Sequence, residues 1–386
     1  DQETDEDVPT GAIAFDISDL ETPADDLALS VSSSNTLVVP EENLVFGGSG
    51  NDTLTGLGDA DTLTGGAGND RLEGAIAGDA QGSDLLDGGE HEKRLGPVAE
   101  IDYLITQDRW TFWRCGLVEA LSIDDFIAHQ GFKALQKAWE IGADAVIEAV
   151  TESGLRGRGG AGFPTGIKWR TVADTAAGQK YIACNADEGD SGTYSDRMLM
   201  EGDPYGLIEA MAIAGYAVGA SKGYIYLRSE YPLTHMILTR ALATARQGGW
   251  LGENIQGSGF DFDIELHLGA GSYVCGEETA MLESLEGKKG IVRYKPPLPA
   301  IEGLFGKPTV VNNVVTLASV PNIVNLGGAR YAGMGVNRSR GTLAFQLSGN
   351  IRRGGLVEKA FGVTLRELVE GFGGGTASGR PVKAVQ

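Results

Sequence analysis

The chain has 386 residues, and its 53 Asp and Glu against 31 Lys and Arg give a net charge of −22. That length admits two or three domains, and the acidic balance, with no basic face in the pattern, argues against nucleic-acid binding. No apolar run approaches the ~18 residues of a membrane span. The charge is unevenly placed: residues 1–92 hold 22 acidic residues and one basic residue, Arg71, whereas the other 294 hold 31 acidic and 30 basic. An asymmetry this sharp points to two segments of different origin or environment. A chain running from Asp1 to Gln386 without a starting Met is expected to be a fragment. The three cysteines, Cys115, Cys184 and Cys275, form neither a disulfide framework nor a metal cluster and are expected to be buried thiols in a reducing compartment.

Residues 1–46 alternate polar with apolar residues, as in "LALSVSSSNTLVV", which predicts short strands of an all-β module. A repetitive segment, residues 47–92, follows. Asp52, Asp61 and Asp70 recur every nine residues, as do Leu54, Leu63 and Leu72, and a degenerate copy stands at "GSDLLDGG". Glycines permit tight turns, aspartates and turn carbonyls offer hard oxygen ligands, and each leucine is expected to face the interior of a roll. The alternative is a flexible Gly/Asp linker. The nonapeptide pattern resembles the calcium-binding repeats of the repeats-in-toxin family, which implies calcium held by Asp52, Asp61 and Asp70. The residues before it resemble the tail of an adhesin-type repeat. Both resemblances are to secreted proteins.

From residue 93 the regime changes. Residues 122–150 predict a helix, with Ser122 as its cap and two acidic residues in the first turn. "GLRGRGGAGFPTGIKW" (154–169) is glycine-rich and threaded with Arg156, Arg158 and Lys168. Alternating units follow it: strand "KYIACNADE", helix "PYGLIEAMAIAGYAVGA", strand "GYIYLRSE", helix "YPLTHMILTRALATARQGG", strand "FDIELHLGAG" and a helix opening at "CGEETAMLESLEG". Strands alternating with helices predict an α/β domain on a mainly parallel sheet, over residues 93–340. Residues 341–386 predict strands and one helix of a small further domain.

Four stretches carry possible chemistry. Gly157, Gly159 and Gly162 spell G-x-G-x-x-G, a weak signal because no strand clearly precedes it. Bare glycines let backbone N–H groups approach a phosphate, and the flanking cations and Phe163 suit a nucleotide, but a structural turn is an equal alternative. In "CNADEGDSG" (184–192) acidic residues cluster just beyond a strand, where ligands of open α/β sheets sit. The alternative there is an acidic loop capping the next helix. Gly276 precedes paired carboxylates, Glu277 and Glu278, at a helix start that favours negative charge on its own account. Asn312 and Asn313 interrupt an apolar stretch, and buried amides need partners, a polar ligand among them.

Taken together, "GLRGRGGAGFPTG.KW", "CNADE", "GAG.Y.CGEETA", "KPP.PA.EGL.GKPT" and "NNV.TLA" closely resemble the NADH-binding flavoprotein subunit of respiratory complex I, NAD-reducing hydrogenases and soluble NAD-dependent formate dehydrogenases. The resemblance spans residues 95–386. "NADEGDSGTYSDRMLMEGDP" looks most like the formate dehydrogenase beta subunit, with the complex I subunit as the alternative. A calcium-binding secreted fragment with an inert passenger is a reading of a different class.

The resemblance implies FMN on a Rossmann-like α/β domain, NAD stacked on the flavin, and the start of a β-grasp domain from residue 341. Carried over by motif, Gly157, Arg158, Gly159, Gly160 and Lys168 line the nucleotide site. Asn185, Asp187 and Glu188 hold the flavin ring and ribityl chain. Gly276, Glu277 and Glu278 approach the ring and nicotinamide, with Glu278 tuning the flavin potential. Asn312, Asn313 and Thr316 contact the phosphate region, and Phe163, Asp190, Tyr273 and Lys295 belong to the NADH side. Partners would be iron–sulfur electron-transfer subunits, with a cytoplasmic location for this part. Some relatives carry an aromatic where Leu298 stands, which predicts weaker adenine stacking. The family's terminal [4Fe–4S] domain is expected to be absent here, and the joining of a secreted-type repeat to an NADH-dependent unit is expected to reflect a chimeric reading frame.

Overall fold

The computed structural model describes residue 98, residues 101–190 and residues 192–386, together with four short strands nearer the N-terminus. The chain divides into two compact units, residues 1–95 and 96–386.

In the first unit the described strands are β1 (Thr53–Thr55), β2 (Thr62–Thr64), β3 (Arg71–Glu73) and β4 (Leu85–Asp87). β1 pairs with β3 in parallel, Leu54 opposite Leu72, and β2 pairs with β4, Leu63 opposite Leu86. The first pairing joins residues eighteen apart, two nine-residue periods. Successive repeats therefore fall alternately on two small parallel sheets. The all-β module expected over residues 1–46 lies outside the described residues.

The second unit begins with α1 (Asp102–Ile105) and then a helical lead-in. Where the sequence predicts one helix over 122–150, three are found: α2 (Ile123–Ala128), α3 (Lys133–Ile141) and α4 (Ala143–Glu152). Ser122 caps α2 as expected, accepting from the Asp125 N–H. The first break comes at Gln130–Phe132. Gln130 and Phe132 take positive φ, and a Cβ on Gly131 would lie 2.2 Å from the Phe126 ring. The second is Gly142, at φ 87°, a conformation glycine adopts without penalty. Apolar residues continue at helical spacing across both breaks, so periodicity alone does not reveal them.

After the glycine loop come α5 (Thr165–Asp174), β5 (Tyr181–Ala186), α6 (Ser195–Gly202), α7 (Pro204–Val218), β6 (Lys222–Leu227), α8 (Pro232–Gln247), β7 (Asp263–Leu268), α9 (Glu278–Leu285) and β8 (Thr309–Asn313). The strands form one parallel sheet in the order β7-β6-β5-β8. This is the expected Rossmann-like α/β arrangement. α7 is buried on every residue but Tyr216, as befits a helix apolar on all sides. Asp203 caps it by accepting from the Gly206 N–H, Pro204 occupies its first turn, and Gly219 ends it in the left-handed conformation. Trp169, Tyr205, Tyr331, Phe126, Phe132 and Phe262 are among the bulky side chains of the surrounding core, with Phe132 stacked on Trp250 at 3.9 Å.

Three short helices, α10 (Val314–Ala318), α11 (Val320–Leu326) and α12 (Gly328–Ala332), lead to the minor strands β9 (Gly335–Val336) and β10 (Ser339–Arg340). β11 (Thr342–Leu347) and β12 (Gly355–Ala360) then form an antiparallel hairpin. The helix expected after it is reduced to one wide π-helical turn, Glu367–Phe372. From β12 the buried Glu358 carboxylate accepts the N–H groups of Thr111 and Phe112 and the Thr342 hydroxyl, at 2.6–3.1 Å. Hairpin and lead-in are thereby fastened together.

Candidate functional site

The glycine loop follows a helix, α4, not a strand. It is clamped at its base by the Arg156–Pro164 bridge, by Gly157 N–H on Phe163 O (2.9 Å) and by Thr165 N–H on Leu155 O (2.9 Å). Gly160 (φ 108°) and Gly162 (φ 61°) turn its tip in conformations that L side chains resist. Its backbone lies close over Asn313, whose Cβ a side chain at Gly159 would approach to 3.2 Å. The Gly159 N–H meets no acceptor among the described residues.

Beneath the loop, over the carboxyl ends of β5 and β8, is a cavity of about 460 Å³. Parallel pairing sets Asn185 beside Asn313 at the end of the two strands. Eleven of the sequence-predicted residues line the cavity: Gly157, Gly159, Phe163, Lys168, Asn185, Gly276, Glu277, Glu278, Lys295, Asn312 and Asn313. Leu298, Ala300 and Val311 add apolar wall.

Most of the polar side chains on the wall are held by neighbours. Asn185 donates from Nδ2 to Gly276 O (2.8 Å) and accepts from the Asp187 N–H (3.1 Å). Asn312 Oδ1 accepts from the buried Trp169 indole (2.8 Å). Asn313 caps α10 by accepting from the Thr316 N–H, and its Nδ2 donates to Asp196. Glu277 caps α9 through the N–H groups of Thr279 and Ala280. Lys295 Nζ bridges Glu277 (3.0 Å) and Glu278 (2.7 Å), and Lys168 Nζ lies 3.6 Å from Glu278 while donating to Val311 O. Burial lowers the Lys168 pKa, opposed by Glu278. Burial also works against the Glu277 carboxylate, but its hydrogen bonds and Lys295 prevail and hold its pKa below the usual value.

The other predicted residues stand elsewhere. Arg158 turns its guanidinium away from the cavity, to Tyr331 Oη (2.8 Å) and Arg340 O (2.7 Å) and over the Phe361 ring, while its N–H donates to Thr316 Oγ1 (2.8 Å). Gly160 shapes the loop tip. Glu188 is buried and accepts the first amides of α6, from Ser195, Asp196 and Arg197. Asp190 accepts from the Gly192 N–H in its own turn. Asp187 and Tyr273 line a second, smaller cavity of about 70 Å³ with Tyr226, Arg228 and Glu230. There burial raises the Asp187 pKa to about 6 against the pull of Arg228. Asp52, Asp61 and Asp70 lie outside the described residues.

Sequence reasoning did not single out Thr309, Val311, Asp196 or Arg228. The first two alternate along β8, a period-two signal present in the sequence; nothing local marks Asp196. Cys115, Cys184 and Cys275 are buried free thiols. Among the described residues no cluster of His, Cys, Asp and Glu could hold a metal ion, and no helix is long and apolar enough to cross a membrane.

Residues 150–322 match the family described as the Nuo51 FMN-binding domain, and residues 43–79 match the RTX calcium-binding nonapeptide repeat (4 copies). The chain is 52% identical over 272 residues to the NADP-reducing hydrogenase subunit HndC of Solidesulfovibrio fructosivorans, covering 70% of this chain and 55% of that protein. It is 52% identical over 264 residues to an NADH-quinone oxidoreductase subunit of Rhizobium meliloti, covering 68% of this chain and 63% of that one. A crystal structure of an NAD+-reducing [NiFe]-hydrogenase in the H2-reduced state superposes with a TM-score of 0.57 at 42% identity, over 62% of this chain and 40% of that chain. The chain thus spans little more than half the length of these curated relatives.

Proposed function

Residues 150–322 of this chain belong to the Nuo51 FMN-binding domain family, and on that premise we propose that the cavity under the glycine loop holds FMN. In this reading the chain exchanges hydride between NAD(H) and the flavin, and partner subunits bearing iron–sulfur clusters take or supply the electrons. The observation that carries it is convergence: the unpartnered Gly159 N–H, the ammonium groups of Lys168 and Lys295, and the apolar wall of Phe163, Leu298, Ala300 and Val311 surround one space. Its 460 Å³ lies within the roughly 300–1,000 Å³ of ligand sites. A phosphate calls for N–H and ammonium donors and a planar ring for flat apolar surface, so the residues present fit the group.

FMN, when bound, supplies hydride exchange on one side and single-electron transfer on the other. The chain's residues orient and polarise. Lys168, held by Val311 O and Glu278, keeps a cation beside the loop. Asn185, fixed at both ends of its amide, presents a rigid polar edge. Glu278 sets the charge at the mouth, and Phe163 and Leu298, each 45% exposed, offer apolar surface to a dinucleotide entering from solvent. Asp190 and Tyr273 belong to that NADH side.

The finer reading, an NAD-reducing unit fed by formate oxidation on a partner, rests on the stretch "NADEGDSGTYSDRMLMEGDP". Formate-dependent NADH formation by the assembled complex separates it from the complex I reading. The core proposal is tested by titrating the chain with FMN and following quenching of flavin fluorescence. Lys168→Met removes a charged donor worth about 1.5–3 kcal/mol and should weaken binding at least tenfold. A folded chain that leaves FMN fluorescence unchanged would reject the proposal.

A further inference from the structure

The Asp196 side chain takes part in nothing described so far beyond its bond to Asn313. It stands in the first turn of α6 and is only 4% exposed. Both its carboxylate oxygens face one side-chain donor, Asn313 Nδ2, at 2.8 Å each. Its neighbour Glu188 is far better supplied, with the amides of Ser195, Asp196 and Arg197 and the hydroxyls of Ser195 and Tyr231. The Glu188 carboxylate shares this buried space with Asp196. An ionised Asp196 would add a second negative charge to the same buried space with little to compensate it, an arrangement that favours the neutral acid. The titratable groups facing Asp196 are Glu188 and, from β5, Cys184. The β8–α10 side presents the Asn313 amide and the main chain of Val315.

Asn313 connects this carboxyl to the cavity. It lines the cavity wall, its Oδ1 is taken by the Thr316 N–H, and the glycine loop rests on its Cβ. We infer that Asp196 is a positioning residue that carries a proton when the cavity holds a phosphate-bearing anion, its acid form keeping Asn313 in place and its ionised form opposing the anion. The inference rests on the FMN reading above. Burial and the Glu188 charge push the Asp196 pKa up to about 8, so both forms are reachable near neutrality. Above that pH, binding draws one proton from solvent onto a carboxylate oxygen, and no other bond changes.

The test measures FMN affinity of the whole 386-residue chain by fluorescence quenching at pH 6.5 and pH 9. The native chain should bind roughly five- to tenfold more weakly at pH 9, the range expected when ligand raises one pKa by a unit or more. Asp196→Asn keeps an acceptor for Asn313 and stays neutral, so its affinity should be the same at both pH values and match the native chain at pH 6.5. Asp196→Ala, which frees Asn313, should bind weakly at both. Infrared spectra of ligand-free chain labelled with 13C-aspartate give an independent readout, since Glu209 and Glu358 do not carry the label. A protonated aspartic carboxyl band should persist to about pH 8 and vanish above it, even if the Asn variant fails to fold.

Equal native affinity at both pH values, or no such band, overturns the inference. So does an unchanged slope in Asp196→Asn, which would assign the titration to Lys168. A native chain that binds no FMN at either pH removes the FMN reading and this inference with it.

Discussion

At the cavity mouth one carboxylate meets two cations: Glu278 is 2.7 Å from Lys295 and 3.6 Å from Lys168. Glu278→Gln removes its charge at nearly constant shape and leaves both ammonium groups facing the cavity with only Glu277 to balance them. Added positive potential favours the reduced, more negative flavin, so the midpoint potential should rise. A single charge a few Å away through a partly screened medium is worth about 1–3 kcal/mol. Potentiometric titration of flavin-loaded native and variant chains measures it, and an unchanged midpoint would leave Glu278 only the task of anchoring Lys295. The motifs bring most of these side chains near one another because they stand at strand ends and helix starts. Which way each side chain points is not written in them. Arg158 turns to Tyr331 because the loop backbone, not its side chain, covers the cavity. Glu188 serves α6 because Tyr194, in the left-handed conformation at that helix start, offers no side-chain cap.

The elements are legible where local pattern and tertiary burial agree. β5, α7, β6, α8, β7 and α9 fall where alternating strand and helix patterns predict them. The lead-in reads as one helix because its two breaks are conformational and leave the apolar spacing untouched. The wide turn at 367–372 has no sequence signature that separates it from an ordinary helix. In the repeat unit, parallel pairing at two periods, Leu54 opposite Leu72, stacks equivalent positions above one another. Hard-oxygen ligands repeated at that spacing bind calcium because the cation neutralises their mutual repulsion. Calorimetric titration of the whole chain with calcium should therefore show binding heat, and exchanging Asp52, Asp61 and Asp70 together for Asn should weaken the binding at least tenfold. A native chain that gives no heat at millimolar calcium would remove the ligand role of those aspartates.

At three acids of the second unit, burial outweighs the donors that would keep them ionised. Burial raises Asp203 to about 6, Glu209 to about 7 and Asp196 to about 8. The folded chain holds protons there that the unfolded chain has released, so this stability is complete below pH ~4 and is lost as pH climbs through 6 to 8. Glu277 and Glu286 act oppositely, since their lowered pKa values favour the fold only above the normal carboxylate range. Stability should peak near pH ~5 and fall by a few kcal/mol by pH ~8.5, seen as a declining urea midpoint. Glu209→Gln should flatten part of that decline, and a midpoint that rises over the interval would contradict the assignment.

The fastening by Glu358 has a consequence for synthesis. Its carboxylate satisfies the amides of Thr111 and Phe112, which precede it by 247 and 246 positions. A ribosome extends the chain from the N-terminus, so those amides wait, hydrated and unpaired, until residues 113–357 have emerged. Nascent chains arrested anywhere before β12 carry a lead-in with no latch, and a protease should find residues 101–112 open to cleavage until β12 arrives.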